Sequence, residues 1–224
     1  MGSSDLPAVS KIQTFTLPFT VSFHNAVMTK EGEIFIIGGQ DRRLSYKEAY
    51  SREVYKLTYP PFRVEHFATM GFSRAHADSV LIEPFILTAG GTSTGTEEYY
   101  TAAHSICRID TRTGEIKEFP LLSQEIYDGE LVPLKGDEIV LVGGWRHIGG
   151  REYGTTNYLG HFRVDHNGEV SLVREGRLHI ERTYRNAHVI SNNRIAIIGG
   201  YYSPLCDPRG CFAQRNLDTI EIYH

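Results

Sequence analysis

The chain has 224 residues, 41% of them hydrophobic and 22% charged, with a formal net charge of −4. These proportions are ordinary for a soluble globular protein and suggest neither disorder nor a membrane class, and the acidic balance argues against a nucleic-acid partner, because holding phosphates needs a concentrated positive field. No apolar run approaches the roughly 20 residues of a spanning helix, and MGSSDLPAVS lacks the basic start and apolar stretch of a secretory signal, so a cytoplasmic place is favoured and no membrane partner is expected.

In chain order, residues 11–17 alternate polar and apolar around Phe15. Residues 24–28 are polar and small at their start, and a short apolar run then ends in Gly-Gly, IFIIGG at Gly38-Gly39. That ending returns in FILTAGG at Gly90-Gly91, IVLVGG at Gly143-Gly144 and IAIIGG at Gly199-Gly200, with steps of 52, 53 and 56 residues. A period near 50 marks a propeller or array, in which one unit recurs because it cannot bury its apolar face alone. Each β-branched run is too short for a helix and suits a strand buried on both faces.

After every Gly-Gly comes a long polar loop, then a third strand at residues 53–57, 105–109, 161–164 and 219–223. Turns rich in Asp, Asn and Gly follow at 110–114 and 165–168, where positive φ is needed. The outer strands at 63–67 and 115–119 alternate with period 2, as fits one wet face. Their aromatic recurs at Phe15, Phe67 and Phe119, so residues 11–17 read as a fourth strand without a third, while the chain ends on a third strand without a fourth. The expectation is an all-β, single-domain β-propeller of four four-stranded blades, over about 20–70, 71–122, 123–178 and 179–224, the last completed by 10–18. Such closure hides exposed sheet edges. The same register would also suit two chains sharing a larger ring.

An Arg or His opening the inner strand (Arg74-Ala75-His76, His24), an apolar strand ending in Gly-Gly, a Tyr in the third strand (Tyr55) and an outer aromatic resemble the kelch repeat, over nearly the whole chain. The Trp expected in the outer strand is Phe in three blades and Leu172 or Val173 in the other. The resemblance implies a kelch-type propeller that holds a partner or ligand on its loop face.

The loops after Gly-Gly carry Arg43 and Tyr46 in the first, Tyr99 and Tyr100 in the second, Trp145, Arg146, His147 and Tyr153 in the third, and Tyr201, Tyr202 and Arg209 in the fourth. Tyr, Trp and Arg dominate binding hot spots, burying much area per rotamer lost. Aligned through the repeat, His24, His76, Asp128 and Arg185 converge near the channel mouth, where they would bind an anion or hold loop backbone. No HxH or HExxH spacing supports a metal, no GxSxG or phosphate loop is present, and no cofactor is expected. Gly149-Gly150 and Gly154 would make the third loop mobile, as a lid or as a plain irregular loop. Cys107 reads as a core residue, while Cys206 and Cys211, bracketing a turn, could bridge. The expected function is a non-catalytic module binding a protein partner or a ligand through these loops. The alternative is an enzyme or lectin acting on a small polar ligand such as a sugar acid.

Overall fold

The computed structural model describes residues 13–45, 48–93, 101–184, 186–191 and 194–223, with backbone alone at Thr101. Tyr46, Tyr99, Tyr100 and Arg185 lie outside the described residues. Each Gly-Gly run becomes the second strand of an antiparallel sheet, and no helix is present among the described residues. The first sheet runs Asn25–Met28, Ile34–Ile37, Glu53–Thr58 and Arg63–Thr69 in spatial order. Asp78–Ile82, Phe85–Ala89, Ile106–Asp110 and Ile116–Phe119 repeat that order in the second, as do Glu130–Pro133, Glu138–Val142, Tyr158–Val164 and Val170–Arg177 in the third. The fourth sheet has three strands, Asn186–Ser191, Arg194–Ile198 and Ile220–Tyr223.

The first strands of consecutive sheets are neighbours, giving a β-propeller-like fold. Because successive side chains point to opposite faces, the largely apolar second strands of the two middle sheets feed two cores each, and those of the first and fourth sheets feed one. Ile37, Phe35 and Val54 pack with Ile86, Cys107 and Ile109 between sheets one and two. Leu87, Ile106 and Phe119 pack with Leu131, Leu141 and Phe162 between two and three. Val140, Val142 and Leu159 pack with Ala187, Ile195 and Ile197 between three and four.

Gly-Gly is the clasp between these layers. The second glycine of each of the first three pairs donates its N–H to the next sheet: Gly39 to the carbonyl of Arg74 at 2.7 Å, Gly91 to Ile126 at 2.8 Å, Gly144 to Arg182 at 2.9 Å. A Cβ on Gly38 or Gly90 would overlap the same carbonyl oxygen, and both have positive φ, +60° and +61°. Only glycine satisfies both demands. Within its own sheet the Arg74 guanidinium, fully buried, donates to the carbonyl of Gly90, to Ser105 Oγ at 2.6 Å and to Glu118 at 2.7 Å. Arg182 does the same with Gly199, Thr219 and Glu221. Arg74 thus ties the second, third and outer strands of its sheet together, and Arg182 the second and third of its own.

Two expectations need correction. Gln13 to Leu17 form no strand and do not complete the fourth sheet; Phe15 instead stacks on Phe62, with ring centroids 4.4 Å apart, and on Tyr59 at 5.7 Å. The ring finds the nearest aromatic surface, the hairpin end of the first sheet. The third loop is not irregular: Trp145–Gly149 and Glu152–Thr155 form a hairpin. It joins Leu205–Asp207 and Gly210–Phe212 of the fourth loop in one sheet, Tyr153 opposite Cys206, and Thr155 N–H donates to the Ser203 carbonyl at 2.8 Å.

Gly90→Ala should therefore be far more damaging than Gly199→Ala. Left-handed torsion costs each about 1–2 kcal/mol, whereas the added Cβ at Gly199 meets no closer atom than the Leu217 carbonyl oxygen at 3.4 Å. Urea unfolding of the two variants measures the difference. A second expectation concerns acid. Arg112 holds the Asp110 carboxyl below the usual range, Arg163 does so for Glu138, and the backbone N–H of Glu169 for Asp165. Depressed folded values give stability that is complete above the ordinary carboxylate range, near 4, and lost as pH falls through the folded values. The melting temperature should hold from pH 7 to about 5 and drop towards pH 3, and Asp110→Asn should shrink that drop.

Candidate functional site

The residue two positions before each first strand is held in an unusual way. Phe23, His76, Asp128 and Tyr184 occupy the same place in the four sheets, and all have left-handed backbone, φ 53°, 56°, 49° and 47°. In each sheet the preceding residue bridges to the residue after Gly-Gly: Ser22 to Gln40, Ala75 to Thr92, Tyr127 to Trp145, Thr183 to Tyr201. That bridge turns the chain sharply into the first strand, and the strained residue sits at the corner. Four non-glycine residues in this region, each costing about 1–2 kcal/mol, mark a place where surrounding structure overrides local preference.

The corners also join one another. His76 N–H donates to the Phe23 carbonyl at 3.1 Å and Asp128 N–H to the His76 carbonyl at 2.7 Å. Their side chains follow suit: His76 stacks on Phe23 at 4.1 Å, and its Nδ1 donates to Asp128 Oδ1 at 3.0 Å. The Arg42 guanidinium lies 4.7 Å over the outer face of the Phe23 ring. A continuous stack from Arg42 to Asp128 results.

Above this stack opens a cavity of about 1180 Å³. Its wall is aromatic: Trp145, 5% exposed, touches Tyr153, Tyr184 and Tyr201 at centroid distances of 5.5, 6.2 and 6.1 Å. Loss of water around the Tyr184 hydroxyl raises its pKa, reinforced by Asp128, so it stays protonated and able to donate. The rim comes from Arg42, His147, Arg151 and the turn Asp207-Pro208-Arg209-Gly210. Arg209 pairs with Asp207, Nε to Oδ2 at 2.9 Å, and holds that carboxyl below its usual value. Among the described residues Arg42 and Arg151 line the cavity without any ion pair. No cluster of three or more His, Cys, Asp or Glu suited to a metal ion occurs among the described residues.

The structure thus brings together His76, Asp128, Trp145, His147, Tyr153, Tyr201 and Arg209. Others are elsewhere. Arg43 points to solvent and forks onto Asp41 of its own loop, 3.0 and 2.8 Å. Arg146 faces Glu181 at 3.7 Å, outside the cavity lining, and Tyr202 lies under Arg215, 5.1 Å from its ring. His24 is exposed beside the clasp, its Cβ close to where a side chain on Gly39 would be. Alignment through the repeat slipped by one residue there and at Arg185: the corner residues are Phe23 and Tyr184. Tyr184, Phe23 and Asp207 were not singled out by sequence; the available signal was the step back from Gly-Gly, which is the same for Phe23, Asp128 and Tyr184.

Cys206 and Cys211 form a disulfide across the turn that carries Arg209, and Cys211 lines the cavity. Cys107 is buried and unreactive, its thiol pushed up by burial. A bridge over so short a loop stabilises by about 2 kcal/mol in the chain-entropy model. Reduction, or Cys206→Ser with Cys211→Ser, should lower the melting temperature by a few degrees while leaving far-UV circular dichroism unchanged.

Neither a family model nor a curated protein matches the sequence. Among solved structures, one titled "Structure of YjhT" aligns over 91% of this chain and 68% of that chain, with a TM-score of 0.70 and 13% identity. At that identity the likeness concerns the fold alone.

Proposed function

We propose that the chain is a kelch-type propeller of four blades and a binding module whose channel mouth takes a small anionic ligand with a ring, a sugar acid being the class that fits. The observation that carries this reading is the pair Arg42 and Arg151, without carboxylate partners among the described residues, on the rim of an aromatic-walled cavity. A guanidinium fork matches a carboxylate, while a sugar presents an apolar ring face to Tyr184 or Tyr201 and hydroxyls to His147 and Tyr153. The volume, about 1180 Å³, is somewhat above the usual range of small-molecule sites, leaving room for bridging water. Trp145 acts as a rigid wall, since its burial leaves little to present to a protein.

A protein partner on the same face is the second reading, favoured by the exposed rim pair Arg209 and Phe212, whose guanidinium and ring are 5.7 Å apart. Its signature is partner capture lost in Arg209→Ala with Phe212→Ala while ligand binding persists.

Binding to the folded state alone raises stability, by about 2.7 kcal/mol at a ligand concentration of one hundred times Kd. A thermal-shift series of hexuronic and related sugar acids should give an upward shift that Arg42→Ala with Arg151→Ala abolishes, that Tyr184→Ala reduces and that Tyr202→Ala leaves alone. Absence of any shift, or a shift that survives loss of both arginines, refutes the reading.

A further inference from the structure

Every internal junction in this fold has the same three parts. The first residue of one sheet's first strand hydrogen-bonds the next sheet: Asn25 Nδ2 donates to the Ala77 carbonyl, Leu131 N–H donates to Asp78 at 2.8 Å, and Ala187 N–H donates to Glu130 at 3.0 Å. The residues beside that position across the sheet are then sealed. Ile37 and Val54, Ala89 and Ile106, Val142 and Leu159 are all at most 3% exposed. Finally the second glycine bonds the carbonyl two residues before the next left-handed corner.

The fourth sheet carries all three parts with nothing upon them among the described residues. Asn186 stands at the polar position and is exposed. The row beside it, Ile198 and Ile220, is 44% and 62% exposed, and Ile222 in the next row is 44% exposed. The space over Gly199, filled by a carbonyl at Gly38 and Gly90, is open to 3.4 Å. Among the described residues this sheet also has no fourth strand of the kind the other three possess. At each internal junction one stretch of chain supplies both missing parts, because an outer strand runs directly into the first strand of the next sheet, as Arg63–Thr69 leads to Asp78–Ile82.

One described segment has that order without a preceding sheet: Gln13 to Leu17, with Phe15 in register with Phe67 and Phe119, leading into Asn25–Met28. The face of this first strand that turns away from the second sheet is also uncovered, Ala26 being exposed and Met28 64% exposed. In the equivalent place Leu131 and Ala187 are 4% and 6% exposed. Within one copy this segment lies on Tyr59 and Phe62, at the first sheet.

We infer that a second copy of this chain docks head to tail. Its first sheet covers Asn186, Ile198, Ile220 and Ile222, its residues 13–17 pair along Ile220–Tyr223, and its Val21 carbonyl takes the Gly200 N–H. Val21 is two residues before Phe23, as Arg74, Ile126 and Arg182 are before their corners. The contact continues an interface the chain already uses three times, and two such contacts about a two-fold axis close a dimer. Phe15 leaves its stack to do so, a contact that keeps it 47% exposed.

Size-exclusion chromatography with light scattering tests this. The unaltered chain should run at twice 25.3 kDa at micromolar concentration. Ile198→Glu with Ile220→Glu spoils one face, and Ala26→Arg with Met28→Glu spoils the other; all four positions are exposed, so circular dichroism and melting verify that each variant folds. Each variant alone should be monomeric, and their equimolar mixture should recover a dimer through the one intact junction. A monomeric native chain up to 100 micromolar (on the order of a weak-dimer Kd) overturns the proposal. So does a native dimer whose mixed variants stay monomeric, the result expected if two fourth sheets pack face to face.

Discussion

Everything in this fold depends on how closely the end of one strand can approach the backbone of the next sheet. A four-stranded antiparallel sheet of this length cannot bury its apolar second strand by itself, so sheets must stack, and stacking brings main-chain polar groups into a dry interface. There an unpaired N–H would cost more than a bond gains. The glycine N–H to carbonyl bonds from Gly39, Gly91 and Gly144 meet that cost at the same point in each layer. In the first two layers they work only because the preceding glycine, Gly38 or Gly90, leaves no Cβ to overlap the acceptor.

The clasp also builds the site. With Gly-Gly locked to the neighbouring sheet, the residue that follows it bridges back to its own sheet, and the chain between must turn through a left-handed corner. Side chains at successive corners are thereby brought into contact, which is why Phe23, His76 and Asp128 form one stack although more than fifty residues separate each from the next. The long loops can differ without disturbing this floor. The third and fourth have paired with each other into a sheet that carries the aromatic wall and the disulfide-braced turn. Backbone thus fixes where the cavity is, and loop side chains decide what it prefers.

Sequence alone carried the sheets well and the site in part. Gly-Gly spacing located all four second strands, and alternation located the outer ones, since both signals come from local chain geometry. The fourth strand at residues 11–17 had the right pattern, but pattern cannot say which edge a strand will meet, and Phe15 met Phe62 first. The slip at His24 and Arg185 has a simple origin. In the second sheet the hairpin closes tightly, Ile82 pairing with Phe85, whereas in the first Met28 pairs with Ile34 across a longer turn. His76 is therefore one residue nearer its Gly-Gly than the other corners are, and alignment on histidines propagated that difference. Tyr184 escaped notice because its importance lies in the aromatic wall it joins, a relation between sheets that no single repeat contains.

The clasp further explains why so regular a fold can leave so thin a sequence trace. Its acceptor is a carbonyl, and any residue has one. Arg74 and Arg182 supply it in two sheets, where their buried side chains are anchored by Glu118 and Glu221. In the third sheet Ile126 supplies it, 1% exposed, with its side chain in the apolar core beside Phe119 and Leu141. An ion-paired arginine and an isoleucine are not interchangeable in general, since removing one partner of a buried pair strands the other. Here they are exchanged as whole units, arginine with its acid or isoleucine with its core, while the backbone bond stays constant. Such a repeat demands glycine where a Cβ would overlap the acceptor and asks of the residue it touches only a carbonyl. A shared fold at low identity is what that asymmetry produces.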